Sequence, residues 1–582
     1  MGEMKKDFRL MKEMGFQHIR IAAIGTTKLD ENGRIVIDTP FVDAMIEEAE
    51  RLDISISVRL HGFSVNLRDF KNVLMVDNEG NPQDTTVWLN FIQATMCHEG
   101  LLEDNFVYSK ALSEKYAKKS NVVGYQIYNE PHYPSSAVYD YHETTVSAYR
   151  KWLVEQGVMT EADAKDYQPP KSRAEESPEM WALWRRFSQH CLDNFLNHAE
   201  HGSKEGSSIP TFTCYTPCQL YPSSPFEGAD IFANARSSMD IVGYTCYYHA
   251  VGAEYYAMNQ FLDLNASAAA ANGKEAWCIE LDSRTYIPLE IFNKNTFATL
   301  GSGVKGLIYY QWRGDHPSPA TPIPNGCGLV NYDGSKTKNY DNAASMVKFI
   351  NDMSDYLVNA RRPKEHIAVF HSDYATFLCD ATENTDEKSG DPMLSNSYQL
   401  VYKEIYRELR KQNYAVDIVD TDALDKNTLE IKTLFVPSRK MLSNQEQEVI
   451  EKFIQKGGQV FESCASITDV NVTGSYMPYG TEIKVYTTYY TMEEVCNEFL
   501  NPPLVKADNP LVGVQRLEGD GYQLIVLTNL SCTNKTQTLR LNFTQAFTEA
   551  ILCTPNKRES LAVNGEEILV SDLTDGAIIL VK

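Results

Sequence analysis

Over roughly the first 340 residues, short apolar runs alternate with longer stretches whose apolar positions recur every three to four residues. The short runs read as strands at Ile19–Ala23, Ile54–Leu60, Val122–Tyr128, Thr211–Tyr215, Ile241–Tyr247, Ala276–Ile279 and Gly306–Gln311. Helical spacing fills the intervals, for example at Pro40–Leu52, Val107–Ser120, Thr144–Gln156 and Met180–Ala199. Residues 1–17 read as an amphipathic helix, with Phe8, Met11 and Met14 on one face and Gly15 as its stop. Strands alternating with helices imply a parallel sheet, and this many units imply an α/β fold of the (β/α)8 TIM-barrel type. The run yields seven strands and opens on a helix, so the expectation is a barrel whose first strand is missing from the chain. A start at an internal methionine would account for this, and a signal peptide would then be lost with it.

Past a helix near 345–360 and the linker Ala360-Arg361-Arg362-Pro363, a second alternating pattern begins. Strands at Ile367–Phe370, Ala415–Val419, Thr433–Val436 and Gln459–Phe461, with helices at Tyr398–Gln412 and Gln445–Lys456, predict a flavodoxin-like α/β domain. Gly457-Gly458 suggests a ligand crevice there and Cys464 a nucleophile, although a structural role explains both as well. From about Pro503 the pattern turns all-β, which predicts a small sandwich. The expected domains are 1–355, 362–500 and 503–582.

Composition narrows the function classes. The chain of 582 residues carries 54 Lys and Arg against 78 Asp and Glu, a net charge of −24, with no basic block. Such a surface repels phosphate, which argues against nucleic acid and anionic membrane as partners. The twelve cysteines follow no metal or disulfide rhythm; Cys214 and Cys218 are the closest pair, with no second pair beside them. No pattern calls for a cofactor or catalytic metal. The N-terminus has no apolar signal-peptide core and no stretch has membrane-spanning length, so a cytoplasmic location is expected.

Two glutamates carry the chemistry. Glu130 follows the apolar run 122–128 in Tyr128-Asn129-Glu130-Pro131, and Glu280 ends Trp277-Cys278-Ile279-Glu280. A carboxylate at the end of a buried strand is costly unless it is paired, solvated or at work. On two strands of one parallel barrel both would enter the same mouth, the arrangement that glycosidic cleavage requires. Read singly, Asn129-Glu130-Pro131 also suits a helix-starting turn and Glu280 a salt bridge. Arg20, in His18-Ile19-Arg20-Ile21, is placed to pair with the nucleophile. Of Tyr244, Tyr247 and Tyr248, alternation favours Tyr247 as the phenol facing Glu280. Trp312 ends the eighth strand position as a floor for a sugar, or as a core residue; His61 and His316 are weaker candidates.

These segments, with Phe8-Arg9-Leu10-Met11-Lys12-Glu13-Met14-Gly15-Phe16 and Tyr310-Gln311-Trp312-Arg313, resemble the clan A retaining glycosidases, and most of all the glycoside hydrolase family 42 β-galactosidases. The resemblance implies Glu130 as acid/base, Glu280 as nucleophile, Asn129 as a ligand of the 2-hydroxyl, and Trp181 and Trp312 as walls of the sugar site. It also implies a homotrimer and a β-linked oligosaccharide or glycoside as substrate, cleaved from its end. This chain has Arg59-Leu60-His61-Gly62-Phe63 where the family has a proline-rich loop, and Ser318–Asn325 offers neither Glu nor His. A β-mannosidase or another clan A β-glycosidase therefore stands beside β-galactosidase as a reading, and a degenerate sugar-binding barrel is the non-enzymatic alternative.

Overall fold

The computed structural model describes residues 2–60, 66–82, 94–133, 140–173, 175–216, 229–314, 328–383, 396–463, 474–481, 489–533 and 535–582. His61, Cys218, His316, the 318–325 loop and Cys464, singled out above, lie outside the described residues.

The first sheet is parallel throughout. After β1 (His18–Ala22) a short antiparallel hairpin, β2 (Thr26–Leu29) and β3 (Ile35–Asp38), stands apart from it. The sheet continues with β4 (Ser55–Arg59), β5 (Val122–Gln126), β6 (Thr211–Phe212), β7 (Ile241–Cys246), β8 (Glu275–Asp282) and β9 (Gly306–Tyr310). Its order β1-β4-β5-β6-β7-β8-β9 follows the chain, so the seven strands curl into a nearly closed barrel with a seam between β1 and β9. All seven strands read from sequence are present, and no described strand occupies the first position. A cavity of about 280 Å³ runs along the seam, walled by His18, Arg20, Ile308, Tyr310 and Trp312.

The helices cover the sheet as their apolar spacing dictates. In the first, Gly2–Met14, Met4, Phe8, Met11 and Met14 are buried. It stops at Gly15, whose φ of +93° suits a residue without Cβ; Gly15 N–H then bonds Lys12 and Phe16 N–H bonds Met11. The 29-residue helix Pro178–Gly206 lies along the barrel and also meets the second sheet system.

That second system has β10 (Ile367–Phe370), β11 (Asp417–Val419), β12 (Thr433–Val436) and β13 (Gln459–Ser463) in the parallel order β11-β10-β12-β13, the doubly wound pattern expected. Gly457 and Gly458 close the helix Asn444–Gln455 at the starting end of β13, where they line a small cavity of about 130 Å³ with Leu424, Asn427 and Phe453. Arg362 of the linker is partly buried against Asp263 and Asp417, at 3.4 and 3.3 Å, and so staples the barrel to this sheet. The C-terminal strands pack as four- and five-stranded antiparallel sheets over a common apolar core, the predicted sandwich. No helix among the described residues is long and apolar enough to cross a membrane.

One ion pair fastens the first helix to the seam. Beyond β9, Arg313 donates from Nε and Nη2 to the two carboxylate oxygens of Asp7, at 2.7 and 2.6 Å, and Asp7 is buried. Removing the guanidinium leaves a buried carboxylate unpaired, a loss of about 2 kcal/mol for a partly exposed pair. Arg313→Ala is expected to lower the first thermal transition followed by circular dichroism, with Arg313→Lys intermediate; an unchanged transition would show that this pair contributes nothing to the seam.

Candidate active site

The upper interior of the barrel is built by alternation, with one deliberate break. Along β8, Cys278 faces the outer core and Ile279 faces inward with Phe212 and Cys214. Strict alternation would then send Glu280 outward. The register instead pairs Tyr244 with Cys278 and Thr245 with Glu280, so one extra residue is inserted on β8. Pairing with β9 shifts over the same segment, from Cys278↔Leu307 to Leu281↔Tyr309. This β-bulge turns Glu280 into the barrel, the re-aiming of a side chain for which bulges are used.

Glu280 is 4% exposed, and its two oxygens are separately occupied. Arg20 Nη2 donates to Oε1 as an ion pair, and the Tyr247 hydroxyl donates to Oε2. Burial alone works against the Arg20 charge, but Glu280 more than offsets it and the guanidinium stays well above its usual range. Burial, then the charges of Glu280 and Glu130, push the Tyr247 phenol well up, so it acts only as a donor. Tyr247 is held in turn. Arg284 lies 4.8 Å over its ring and is gripped by Asp282, Nε to Oδ1 at 2.8 Å and Nη2 to Oδ2 at 2.9 Å. Tyr310 adds an edge contact to Tyr247 at 6.3 Å.

The second carboxyl sits in a different environment. Glu130 lies four residues beyond β5, at φ +47°, a left-handed conformation that is rare for a residue preceding proline. Its carboxyl rises from an ordinary value of 4.5 to about 7, through burial and then the charge of Glu280, against a lowering hydrogen bond with Thr245 and the charges of Arg20 and Arg59. Half protonated near neutrality, it is suited to give and take a proton.

Gln126 connects the two stations. Its Oε1 accepts from Arg20 Nη1 at 2.8 Å, while its Nε2 donates to Tyr128 O at 2.8 Å and to Asn129 Oδ1 at 3.3 Å. The Asn129 oxygen is thereby used, and among the described residues its amide nitrogen makes no hydrogen bond.

The structure thus gathers Arg20, Asn129, Glu130, Tyr247 and Glu280 at one mouth. Trp312 lies at the seam with Arg20; its ring meets Phe16 and Tyr340 edge-on, at 6.2 and 6.0 Å, and its buried indole N–H has no partner among the described residues. Trp181 enters through other contacts: it is fully buried, and its indole N–H donates to Asp380 at 3.1 Å beside Arg173. Its role in a sugar pocket rests on the resemblance. Sequence reading did not find Gln126, Asp282, Arg284 or Thr245. The signal for Asp282 and Arg284 was two further charges within four residues of Glu280, at the end of an apolar run.

A family model described as beta-galactosidase, glycoside hydrolase family 42, matches residues 2–353. The chain belongs to glycoside hydrolase family 42. Beta-galactosidase BgaB of Geobacillus sp. (strain Y412MC61) is 26% identical over 178 residues, 30% of this chain and 24% of that protein, so the match spans about a quarter of the relative's length. Among solved structures, the beta-galactosidase of Bacillus circulans sp. alkalophilus aligns over 100% of this chain and 97% of its own, at 14% identity and a TM-score of 0.74. Gan42B of G. stearothermophilus aligns over 99% and 95%, at 13% identity and 0.75. An exo-carrageenase of the same family from Bacteroides ovatus aligns over 97% and 79%, at 13% and 0.66. At these identities the likeness is one of fold, and it extends through all three sheet systems of the family 42 chain.

The raised Glu130 carboxyl has a cost that can be read in stability. The folded state holds this proton between about pH 4.5 and 7 while the unfolded chain has released it, so the group's contribution falls as pH rises through that window. Glu130→Gln is expected to stabilise the protein at pH 8, on the order of 2 kcal/mol, and to have little effect at pH 4. Thermal unfolding at both values checks this; equal shifts at both would contradict the raised value.

Proposed function

We propose that the chain is a retaining, exo-acting β-glycosidase that works by double displacement on terminal β-galactosides. The observation that carries the reading is the division of labour between the carboxyls: Glu280 is fixed by Arg20 and Tyr247, while Glu130 is pushed to about 7 beside it. The family description and the names of its relatives support galactose as the sugar.

In the first step an oxygen of Glu280 attacks the anomeric carbon. The bond to the leaving oxygen breaks, and that oxygen takes the proton of Glu130. The transition state is oxocarbenium-like, and the negative charge of Glu280 stabilises it directly. Tyr247 and Arg20 keep the carboxylate aimed, and release it as its charge passes into the new ester. Asn129 holds the neighbouring hydroxyl through its free amide donors. In the second step ionised Glu130 takes a proton from water, the hydroxide oxygen bonds to the anomeric carbon, and Glu280 leaves. Two inversions restore the β configuration. The homotrimer belongs to the same proposal, and sedimentation of the full chain tests it.

The deciding experiment is an aryl β-glycoside panel of galactoside, mannoside, glucoside and fucoside. Wild type should turn over the galactoside best, with β-galactose as the first anomer seen by NMR. Glu280→Ala should lose at least about 10⁴-fold, and azide should rescue it with formation of an α-galactosyl azide. Glu130→Ala should be rescued by azide to the β-azide on substrates with activated leaving groups. A higher rate on the mannoside would move the sugar assignment; no turnover of any member would favour a sugar-binding barrel without catalysis.

A further inference from the structure

Four arginines stand at the barrel's strand ends, and three are matched: Arg20 with Glu280, Arg284 with Asp282 and Arg313 with Asp7. Arg59, the last residue of β4, is the fourth. Its direction follows from its strand. Ile56 and Val58 pack outward on Val42 and Ile46, while Ser55 and Ser57 face the interior and contact the two ring nitrogens of His18 at 2.9 and 2.7 Å. Arg59 continues that inner row. It is in register with Gln126 on β5, whose side chain holds both Arg20 and Asn129. The guanidinium therefore enters the site on the side of the barrel opposite Tyr247 and Arg284. Among the described residues it makes neither an ion pair nor a side-chain hydrogen bond.

An unpaired cation in this place needs an explanation. Burial and then the charge of Arg20 both work against its protonation, and both are felt in a lowered value. Among the described residues of the mouth the charges otherwise cancel: Arg20 against Glu280, Arg284 against Asp282, with Glu130 neutral when it holds its proton. One positive charge is left over, beside an anomeric carbon that must itself become cationic. With a neutral sugar this residual charge opposes the transition state. An anion on the substrate would neutralise it, remove the cost of the unpaired group, and gain a bidentate contact for which a guanidinium is shaped.

We propose that Arg59 is a specificity-determining residue that recognises an anionic substituent, a sulfate ester or a carboxylate, on the glycoside this enzyme cleaves. The inference rests on the glycosidase reading and deepens it, because it names the class of sugar as acidic. The family resemblance gives no role to this position, where the chain departs from the proline-rich loop expected.

The test compares wild type, Arg59→Lys and Arg59→Gln on aryl β-galactoside, its 3-, 4- and 6-sulfates, and the aryl β-galacturonide. Wild type should favour one anionic substrate over the neutral one by about 10-fold or more in kcat/KM, with the advantage shrinking as salt rises. Arg59→Gln should lose that preference, its kcat/KM falling about 10-fold or more further on the anionic substrate than on the neutral galactoside; Arg59→Lys should keep part of it. Which substrate shows the effect separates sulfate from carboxylate. Preference for the neutral galactoside by wild type, or an equal loss on all substrates in Arg59→Gln, would overturn the assignment. Calorimetric binding of inorganic sulfate and of acetate supplies a readout that needs no turnover: wild type should bind at least one of them and Arg59→Gln neither, and equal binding in both proteins, or no binding of either anion, counts against Arg59. If no glycoside is turned over, the glycosidase reading fails, and anion binding still decides the role of Arg59.

Discussion

A carboxylate held almost out of water is the constraint on which the site depends. Glu280 is nearly inaccessible, and an isolated charge in that position would cost several kcal/mol. It is tolerated because Arg20 and Tyr247 each take one of its oxygens, from β1 and from just beyond β7. Tyr247 follows the strand beside β8, but Arg20 comes from the far edge of the sheet, so its pairing exists only once the sheet has curled round. The bulge on β8 is part of the same arrangement, because without it the side chain would point into the outer core. Fold and chemistry are coupled at this point. The barrel brings the partners together, and the partners make the buried charge affordable.

The same field then sets the other carboxyl apart. Among the described residues Glu130 forms no ion pair; burial and the charge of Glu280 outweigh the more distant Arg20 and Arg59, and its proton is held to about 7. Two identical functional groups thereby acquire different duties, one fixed as a nucleophile and one free to shuttle a proton. Gln126 bridges them, with its oxygen on Arg20 and its nitrogen on Asn129. The strained backbone at Glu130 fits this picture, since a left-handed residue ahead of proline aims the carboxyl where a relaxed turn would not.

Much of this was legible in the chain. The strands of the parallel sheet are buried on both faces, so they show as continuous apolar runs, and all seven were found to within a few residues. Each glutamate was visible as a charge at the end of such a run. Tyr247 followed from simple alternation counted along β7, and its hydroxyl does meet Glu280. What escaped was what register decides. The bulge at Ile279 leaves no mark in composition, and alternation counted along β8 would have turned Glu280 the wrong way. Asp282 and Arg284 act through Tyr247 and not on a substrate directly, so nothing in the local pattern separates them from a surface salt bridge. Gly457-Gly458 was read as a crevice; it stops the helix before β13 and lines a small cavity there. The contact of Trp181 with Asp380 lies between elements some 200 residues apart, beyond the reach of any local pattern. The seam could be anticipated only as a missing strand; that Arg313 and Asp7 pin its edge needed coordinates.

The most direct test of the account is to trap the intermediate on the residue that this environment prepares. Full-length protein would be incubated with 2,4-dinitrophenyl 2-deoxy-2-fluoro-β-galactoside, which slows the second step more than the first, and then digested and mapped by mass spectrometry. The account predicts a burst of dinitrophenol, one fluorosugar per chain, and its attachment to the peptide carrying Glu280, with Glu130 unmodified and Glu280→Gln unlabelled. A label on Glu130, or dinitrophenol release with no covalent sugar on any carboxylate, would contradict it.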